Sequence, residues 1–156
     1  MEAEQARVGL TGGCQCGSIR FRLDAAPAGA SICHCRMCQK AGGAPFMAFA
    51  TLPIADFVVT HGEIAIFASS DIAERGFCSA CGTPLTYRGA TSSRISVTIC
   101  SLDEPNAVAP EFQLGAESAV DWLADALAAP NTRTDEWLAR KKIAAVDNRQ
   151  HPDRES

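Results

Sequence analysis

Seven of the eight cysteines fall into three short clusters, and this grouping constrains what the chain can fold around. The clusters are Cys14 and Cys16 in GGCQCG, Cys33, Cys35 and Cys38 in CHCRMC, and Cys78 and Cys81 in FCSACG. Cys-x-Cys and Cys-x-x-Cys turns can place two thiolates about 2.3 Å from one zinc ion with little loss of chain entropy. The spacing therefore predicts metal binding.

The first and third clusters share a glycine directly after their second cysteine, at Gly17 and Gly82. Glycine at this position can adopt a positive φ, which lets backbone N–H groups point at a thiolate sulfur. We therefore expect the two clusters to form one closed site, called here the four-cysteine site: Cys14, Cys16, Cys78 and Cys81. The alternative, buried thiols without a metal, offers no packing reason for two matched turns.

The middle cluster has no second cluster to complete it, and Cys33, Cys35 and Cys38 are called here the three-cysteine site. Three thiolates leave one position of a tetrahedral zinc open, as a catalytic site requires. His34 is an alternative fourth ligand, although a side chain between two ligands of such a turn tends to point away from the metal. Cys100 ends an alternating segment and is expected to be a small, half-buried residue.

A secreted scaffold with four disulfides is the competing interpretation of eight cysteines. The N-terminal sequence MEAEQARVGLTGG lacks the positive charge and apolar run of a secretory signal, and a reducing cytosol keeps thiols free. No stretch approaches the roughly 18 apolar residues of a membrane helix. We therefore expect a soluble cytoplasmic protein whose cysteines bind zinc.

The charge balance argues against polyanionic partners. The 156 residues carry 18 acidic and 14 basic side chains, a formal net charge of −4, which gives no broad attraction for phosphate backbones or anionic lipid. The basic triplet at residues 140–142 is explained as a complement to a helix dipole. We expect small-molecule partners, with neither nucleic acid nor membrane.

Alternation of apolar and polar residues predicts a mainly β protein of antiparallel sheets with short turns. The predicted strands cover residues 18–23, 46–52, 56–60, 63–67, 83–87 and 94–100. Helical spacing predicts one or two C-terminal helices, at 118–127 and 134–146, with Ser118 and Thr134 as N-caps.

The C-terminal part of the chain carries the remaining structural expectations. We divide the chain into a zinc-binding domain, residues 1–130, and a C-terminal helix with a polar tail, residues 131–156. The tail is expected to be disordered from residue 147, with His61 and His151 facing solvent. Trp122 and Trp137 are expected to pack in the core or at an interface, and the second helix is a candidate surface for a homodimer.

Four segments carry a resemblance to a known family. They are GGCQCGSIRF, SICHCRMCQKAGGAPF, FASS followed by ERGFCSACGTPLTYR, and SLDEP, within residues 10–115. They resemble the family of the glutathione-dependent formaldehyde-activating enzyme and centromere protein V. The resemblance implies a β-tent-like fold, a structural zinc in the four-cysteine site and a more loosely held zinc in the three-cysteine site.

The resemblance also implies a chemistry. The enzyme that gives the family its name condenses formaldehyde with glutathione, and this reaction is classed as a carbon–sulfur lyase when it is read backwards. Zinc on Cys33, Cys35 and Cys38 would lower the pKa of the glutathione thiol, so that a thiolate exists near neutral pH. Alternatively the metal polarises the aldehyde oxygen, but a site charge of about −1 blunts that effect.

Five residues are candidates for substrate binding. Arg36, Lys40 and Arg75 lie where the motifs place them near the three-cysteine site, and each is also consistent with a solvated surface charge. Ser69 and Ser70 are either substrate contacts or backbone caps at a strand end. The positive charges would offset the thiolates and hold substrate carboxylates.

Two functions from different classes follow from these observations. The first is a zinc-dependent enzyme that joins a thiol to a small aldehyde, and the second is a non-catalytic, zinc-stapled module that binds a thiol, a peptide or a protein partner. The fold does not choose between them. The sequence departs from the resemblance at Phe67, where the family often has tyrosine, so the substrate stays open.

Overall fold

The fold is described from a computed structural model, for residues 9–154. Residues 1–8, which hold much of the sequence that argues against a secretory signal, and residues 155–156 of the polar tail lie outside the described part. Within it the chain is mainly β, with three short α-helices, which confirms the predicted fold class.

Ten strands are present in the described residues: β1 (Thr11–Gly13), β2 (Arg20–Leu23), β3 (Gly29–Cys33), β4 (Met47–Pro53), β5 (Phe57–His61), β6 (Ala65–Ala68), β7 (Ala73–Phe77), β8 (Pro84–Gly89), β9 (Arg94–Thr98) and β10 (Phe112–Leu114). The helices are α1 (Arg36–Gly42), α2 (Leu123–Ala128) and α3 (Thr134–Arg140). The six predicted strands are confirmed to within two residues at each end. Strands β1, β3, β7 and β10 were missed because they are short and three of them contain glycine, which weakens the alternating pattern.

The strands form two sheets. A three-stranded sheet has the order β1-β2-β5, and a seven-stranded sheet has the order β10-β3-β4-β9-β8-β7-β6. Pairing among these strands is antiparallel, as predicted, except that β10 runs parallel to β3, with Gln113 opposite Ile32. Strand β10 therefore forms one edge of the larger sheet. It lies far from β3 in the sequence, so a local sequence pattern does not predict this pairing.

The core lies between the two sheets. Phe21 and Leu23 of the small sheet and Leu52, Leu85 and Val97 of the large one are at most 1% exposed and belong to one cluster of contacting side chains. Full burial of each such side chain stabilises a fold by about 1.5–3 kcal/mol. Packing of one face from each sheet therefore sets their mutual position.

The C-terminal helices differ from the predicted ones. Helix α2 begins after Trp122, whereas residues 116–118 form a 3-10 turn, and α3 ends at Arg140. Neither helix has a side-chain N-cap, so the roles expected for Ser118 and Thr134 are wrong. Lys142, with φ 58°, is left-handed, which stops α3 early.

The same helices bear on the expected interfaces. Neither α2 nor α3 buries a residue, and Trp122 and Trp137 are 56% and 45% exposed, so packing of these tryptophans in the core is wrong. The homodimer stays a prediction. Across residues 9–154 no helix combines the length and apolar character that a bilayer crossing requires, and the cytoplasmic location also stays a prediction.

The polar tail returns to the first cysteine turn. Residues 143–152 have no regular secondary structure, but the His151 N–H donates to the Gln15 carbonyl at 2.7 Å, and Arg20 Nη2 donates to the Arg154 carbonyl at 3.0 Å. A Cβ at Gly17 would come within 2.6 Å of His151 Cδ2, so the ring lies on this glycine. The expectation of a solvent-facing His151 is therefore wrong, whereas the expected disorder of the tail from residue 147 stays a prediction.

A buried ion pair fastens the small sheet to the segment after β9. Arg20 Nη1 donates to Asp103 Oδ1 at 3.0 Å, Arg20 Nη2 donates to Oδ2, and Thr11 Oγ1 donates to Oδ2 at 2.6 Å. Both charged side chains are 7% exposed. Burial by itself raises the pKa of Asp103, but the hydrogen bonds from Arg20 and Thr11 outweigh it, so this pKa lies below its usual value.

We expect Asp103→Asn to lower the free energy of unfolding at pH 7 by about 3–5 kcal/mol, because Arg20 is left buried without its partner. The matched control Asp24→Asn breaks the half-exposed pair with Arg22 and should cost at most about 1 kcal/mol. Urea unfolding measures both. A carboxyl whose folded pKa is lowered stabilises the fold above its unfolded pKa of about 3.9.

The same comparison has a defined pH dependence. The difference between wild type and Asp103→Asn should be constant above that pH and shrink as the pH falls through the folded pKa of Asp103, when the carboxylate takes up a proton. The other acid groups titrate in both proteins, so their effects cancel in the difference between the two free energies of unfolding. A difference that grows on acidification would contradict the assignment of the ion pair.

Candidate metal and catalytic site

The two glycine-ended cysteine turns meet in space. Cys14 and Cys16 lie in the loop between β1 and β2, Cys78 and Cys81 in the loop between β7 and β8, and their four sulfurs lie within 4.8 Å of one another. The Sγ atoms of Cys14 and Cys16 are 3.6 Å apart, and those of Cys16 and Cys78 are 3.9 Å apart. Sulfurs on one tetrahedral zinc are about 3.8 Å apart, so the four thiols fit this ion.

The two turns share a backbone conformation. Gly17 and Gly82 have φ 79° and 80°, as predicted, and their N–H groups donate to the carbonyls of Cys14 and Cys78 at 3.0 and 2.8 Å. The Ile19 N–H donates to Cys14 Sγ at 3.2 Å. A left-handed glycine therefore closes each turn and presents both of its thiols on one side.

Three of the four thiols, those of Cys14, Cys16 and Cys81, have shifted pKa values. Burial raises the pKa of Cys14 to about 12, and the hydrogen bond from Ile19 only partly offsets it. Burial also raises the pKa of Cys81, but hydrogen bonds from Thr83 outweigh it and bring this pKa to about 6. The hydrogen bond with the Ser18 hydroxyl lowers the pKa of exposed Cys16. A thiol as weakly acidic as that of Cys14 is ionised near neutral pH only beside a cation.

The three-cysteine site forms where β3 meets α1. Cys33 ends β3, Cys35 precedes α1 and Cys38 lies in its first turn, with the three sulfurs within 4.8 Å of one another. Cys35 Sγ accepts the Cys38 N–H at 3.4 Å and so acts as the helix N-cap. Helix α1 was not predicted. The sequence feature that could have indicated its end is Gly43, which adopts φ 60° as the C-cap.

Arg75 of β7 lies against this site. Its Nη2 donates to Cys38 Sγ at 3.4 Å, its guanidinium carbon lies 5.1 Å from the centre of the Tyr87 ring, and Arg75 is only 8% exposed. In the described part of the chain no carboxylate pairs with Arg75. A buried charge is costly unless it is paired, so the site favours a negative sulfur beside this arginine.

The environment shifts the pKa values of two of the three thiols in this site, Cys35 and Cys38, in opposite directions. Burial raises the pKa of Cys38 to about 12 in the absence of a metal, and the hydrogen bond from Arg75 opposes this rise. Burial also acts to raise the pKa of Cys35, but hydrogen bonds led by the Cys38 N–H outweigh it, so this pKa is lowered. Two positive influences, Arg75 and the start of α1, thus face the sulfurs.

His34 points away from the sulfurs, as expected. It is 2% exposed, and its Nε2 lies 2.9 Å from Gln113 Oε1 on β10. The His34 N–H donates to the Leu114 carbonyl at 2.9 Å. His34 therefore anchors the cysteine loop to β10, a role that depends on the parallel β3–β10 pair.

The segment after β10 completes this support. Gly115 has φ 64°, and a Cβ there would lie 2.8 Å from the Cys35 nitrogen, so the backbone passes directly over Cys35. Gln39 Nε2 donates to the Ser118 carbonyl at 2.9 Å. Sequence reasoning missed Gly115, Gln39 and Gln113, because none of them belongs to a recognisable motif.

An open cavity of about 480 Å³ lies between α1 and the β6–β7–β8 end of the large sheet. Its lining is mostly apolar and consists of Met37, Lys40, Ala41, Phe67, Ser69, Arg75, Gly76, Phe77, Gly82 and Pro84. Arg75 connects the cavity to the three-cysteine site through Cys38, and Gly82 connects it to the four-cysteine site. The cavity therefore lies between the two metal candidates.

The structure brings three of the five predicted substrate residues together. Lys40, Ser69 and Arg75 line the cavity, and Ser69 Oγ also donates to the Ala73 carbonyl at 3.3 Å. Arg36 lies in a neighbouring groove and Nη1 donates to Gln39 Oε1 at 2.5 Å. Ser70 Oγ accepts the Ile72 N–H at 3.3 Å, as a turn cap does.

The remaining cysteine and histidine lie apart from both sites. Cys100 is exposed, where a half-buried position was expected, because it sits in a 3-10 turn after β9. His61 is exposed at the end of β5, as expected. Neither belongs to a group of potential metal ligands among residues 9–154.

Comparison with known proteins gives consistent results. A family model, "glutathione-dependent formaldehyde-activating enzyme", matches residues 9–118. An uncharacterised lyase of Schizosaccharomyces pombe is 36% identical over 76 residues, which are 49% of this chain and 55% of that protein, so the match spans about half of its length. A crystal structure from Rhodobacter sphaeroides has a TM-score of 0.53 at 20% identity, covering 66% of this chain and 98% of that one, which supports the fold alone.

We expect the tail to slow metal loss from the four-cysteine site, since His151 covers Gly17 beside exposed Cys16. His151→Ala should release a bound metal to a chromogenic chelator about threefold faster or more, because the local cover opens more often. The matched control is Arg149→Ala, an exposed tail position. Equal release rates for wild type and His151→Ala would show that the tail does not protect the site.

Proposed function

Because the chain belongs to the glutathione-dependent formaldehyde-activating enzyme family, we propose that it is a zinc-dependent, carbon–sulfur lyase-type enzyme that joins a thiol, such as glutathione, to a small aldehyde, such as formaldehyde. The thiol sulfur bonds to the carbonyl carbon, the π electrons move to oxygen, and the thiol proton ends on that oxygen. No oxidant or reductant is needed. The observation that carries the proposal is buried Arg75, paired with a thiol of the three-cysteine site beside an open cavity.

The two cysteine sites are proposed to hold one zinc each, with different roles. The four-cysteine site would hold a structural ion with all four coordination positions filled. Cys33, Cys35 and Cys38 would hold a more labile, catalytic ion and leave one of its coordination positions free. When bound there, zinc supplies the positive charge that favours the thiolate form of a substrate thiol near neutral pH. Residues of this chain balance the charge of the site and bind the substrates.

Arg75 balances charge at the three-cysteine site. Three thiolates and a divalent cation carry a net charge of about −1, and the guanidinium beside Cys38 offsets it. Because Arg75 is nearly inaccessible to water, its charge is screened little. We therefore propose that Arg75 pairs with the cysteine sulfurs and that Lys40, which is exposed at the cavity, binds a substrate carboxylate.

The cavity orients the two substrates. Apolar side chains, among them Met37, Phe67 and Phe77, line it and reduce the water around a bound thiol. Holding thiol and aldehyde together replaces a bimolecular encounter with a step inside one complex. Ser69, whose hydroxyl faces the Ala73 carbonyl and the cavity, is proposed as a further substrate contact.

The two sites should respond differently to loss of one sulfur. We expect wild type to hold about two zinc ions per chain, and Cys35→Ser to stay folded, lose catalysis and keep about one. Cys14→Ser should unfold the domain, because it removes one of the four sulfurs that bring two distant loops together. Metal analysis and circular dichroism measure these outcomes. Equal loss of stability in the two variants would contradict the division of roles.

Removal of the buried guanidinium should impair the site without unfolding the chain. Arg75→Gln is expected to lower zinc affinity at the three-cysteine site, or the rate of adduct formation, by about 10- to 100-fold. The control Arg94→Gln, at an exposed position on β9, should behave as wild type. Exchange NMR with labelled formaldehyde measures the rate above the uncatalysed background. Zinc bound by wild type without any turnover would instead favour the non-catalytic binding module.

A further inference from the structure

We propose that the thiol partner of this enzyme has an apolar body and a single carboxylate, and that Lys40 and Phe67 select it over a polar peptide thiol. The inference rests on the proposed function, since it names the substrate class of the same cavity. Three features of the cavity carry it: its apolar walls, its one uncommitted cation and the absence of acidic groups from its lining.

The walls present large apolar side chains to a ligand. Phe67 on β6 is opposite Arg75 on β7, which in turn is opposite Tyr87 on β8, so these side chains share one face of the sheet. Phe67 is 61% exposed, and Met37 across the cavity is 55% exposed. Large apolar groups exposed on both sides of a cavity indicate a surface that an apolar ligand covers.

The charges of the cavity suit one carboxylate. Arg75 is buried and committed to Cys38, which leaves Lys40 as the exposed cation of the lining. The lining residues, all within the described chain, include no aspartate, glutamate or histidine that could receive an ammonium group. Glutathione carries two carboxylates and an ammonium group, so one carboxylate and the ammonium would find no charged partner among the lining residues.

Helix α1 determines which part of the ligand contacts which side chain. Met37, Lys40 and Ala41 are spaced i, i+3 and i+4, so they form one face of the helix toward the cavity, and Cys38 lies beside this face against the sheet. Because Lys40 and Arg75 both line the cavity, a ligand whose sulfur is near Arg75 and Cys38 can bring a carboxylate to the flexible side chain of Lys40. Its body then contacts Met37 and Phe67.

The test uses the zinc-loaded protein with three thiols and formaldehyde. The probes are 4-(sulfanylmethyl)benzoate, phenylmethanethiol, which lacks the carboxylate, and glutathione. We expect kcat/KM to be highest for the benzoate thiol and at least about fivefold lower for glutathione. Calorimetric binding of 4-ethylbenzoate, which has no sulfur, gives a readout of the cavity that is independent of turnover.

Two variants identify the residues responsible. Lys40→Gln should lower kcat/KM for the benzoate thiol, and affinity for 4-ethylbenzoate, by about two- to fivefold while leaving phenylmethanethiol unchanged. Phe67→Ser should lower kcat/KM for both aryl thiols by about three- to tenfold, with little effect on glutathione. Lys141→Gln and Phe112→Ser, exposed residues of the same types elsewhere, are the matched controls.

The outcomes separate the two proposals. A preference for glutathione, or equal effects of Lys40→Gln and Lys141→Gln, would overturn the inferred substrate class while the enzyme proposal stands. No turnover with any thiol, together with 4-ethylbenzoate binding that Lys40→Gln weakens, would overturn the enzyme proposal and support the inferred ligand class for the cavity. Neither turnover nor 4-ethylbenzoate binding would overturn both.

Discussion

Four sulfurs gathered within 4.8 Å join loops that lie far apart in the chain. Cys16 and Cys78 are separated by 62 residues, and the segment between them contains the three-cysteine site, α1 and most of the strands that position the cavity. Closing such a loop has an entropic cost, and a metal bound by the four thiolates would offset it. The arrangement of both sheets near the cavity depends on this junction.

Strand β7 links this junction to the three-cysteine site. Cys78 follows β7 directly, and Arg75, three residues earlier, points from the strand to Cys38. A shift of the four-cysteine site would therefore move the guanidinium that lies beside Cys38 in the other site. Because β10 and Gly115 support the same cysteine loop from the opposite side, the three-cysteine site is held between two strands that are distant in sequence.

The chemistry follows from this placement. A site with three sulfurs, a buried guanidinium and an adjoining apolar cavity suits a thiol whose charge must be controlled and whose body must be kept from water. In the proposed enzyme, specificity depends on Lys40 and Phe67, which line the cavity and do not hold the cysteines. The proposed substrate class could therefore change without disturbing the two cysteine sites, because separate residues form the cysteine sites and this part of the cavity.

The sequence determined the cysteine clusters, their glycine-closed turns and six of the strands, because metal-ligand spacing, positive φ and alternating burial are local properties. It did not reveal α1, the parallel β3–β10 pair or the return of His151 to the first turn. Only the tertiary structure decided that Arg75 faces Cys38 rather than solvent and that Lys40 lies in the cavity while Arg36 does not. These outcomes depend on long-range packing, which places residues together irrespective of their spacing in the chain.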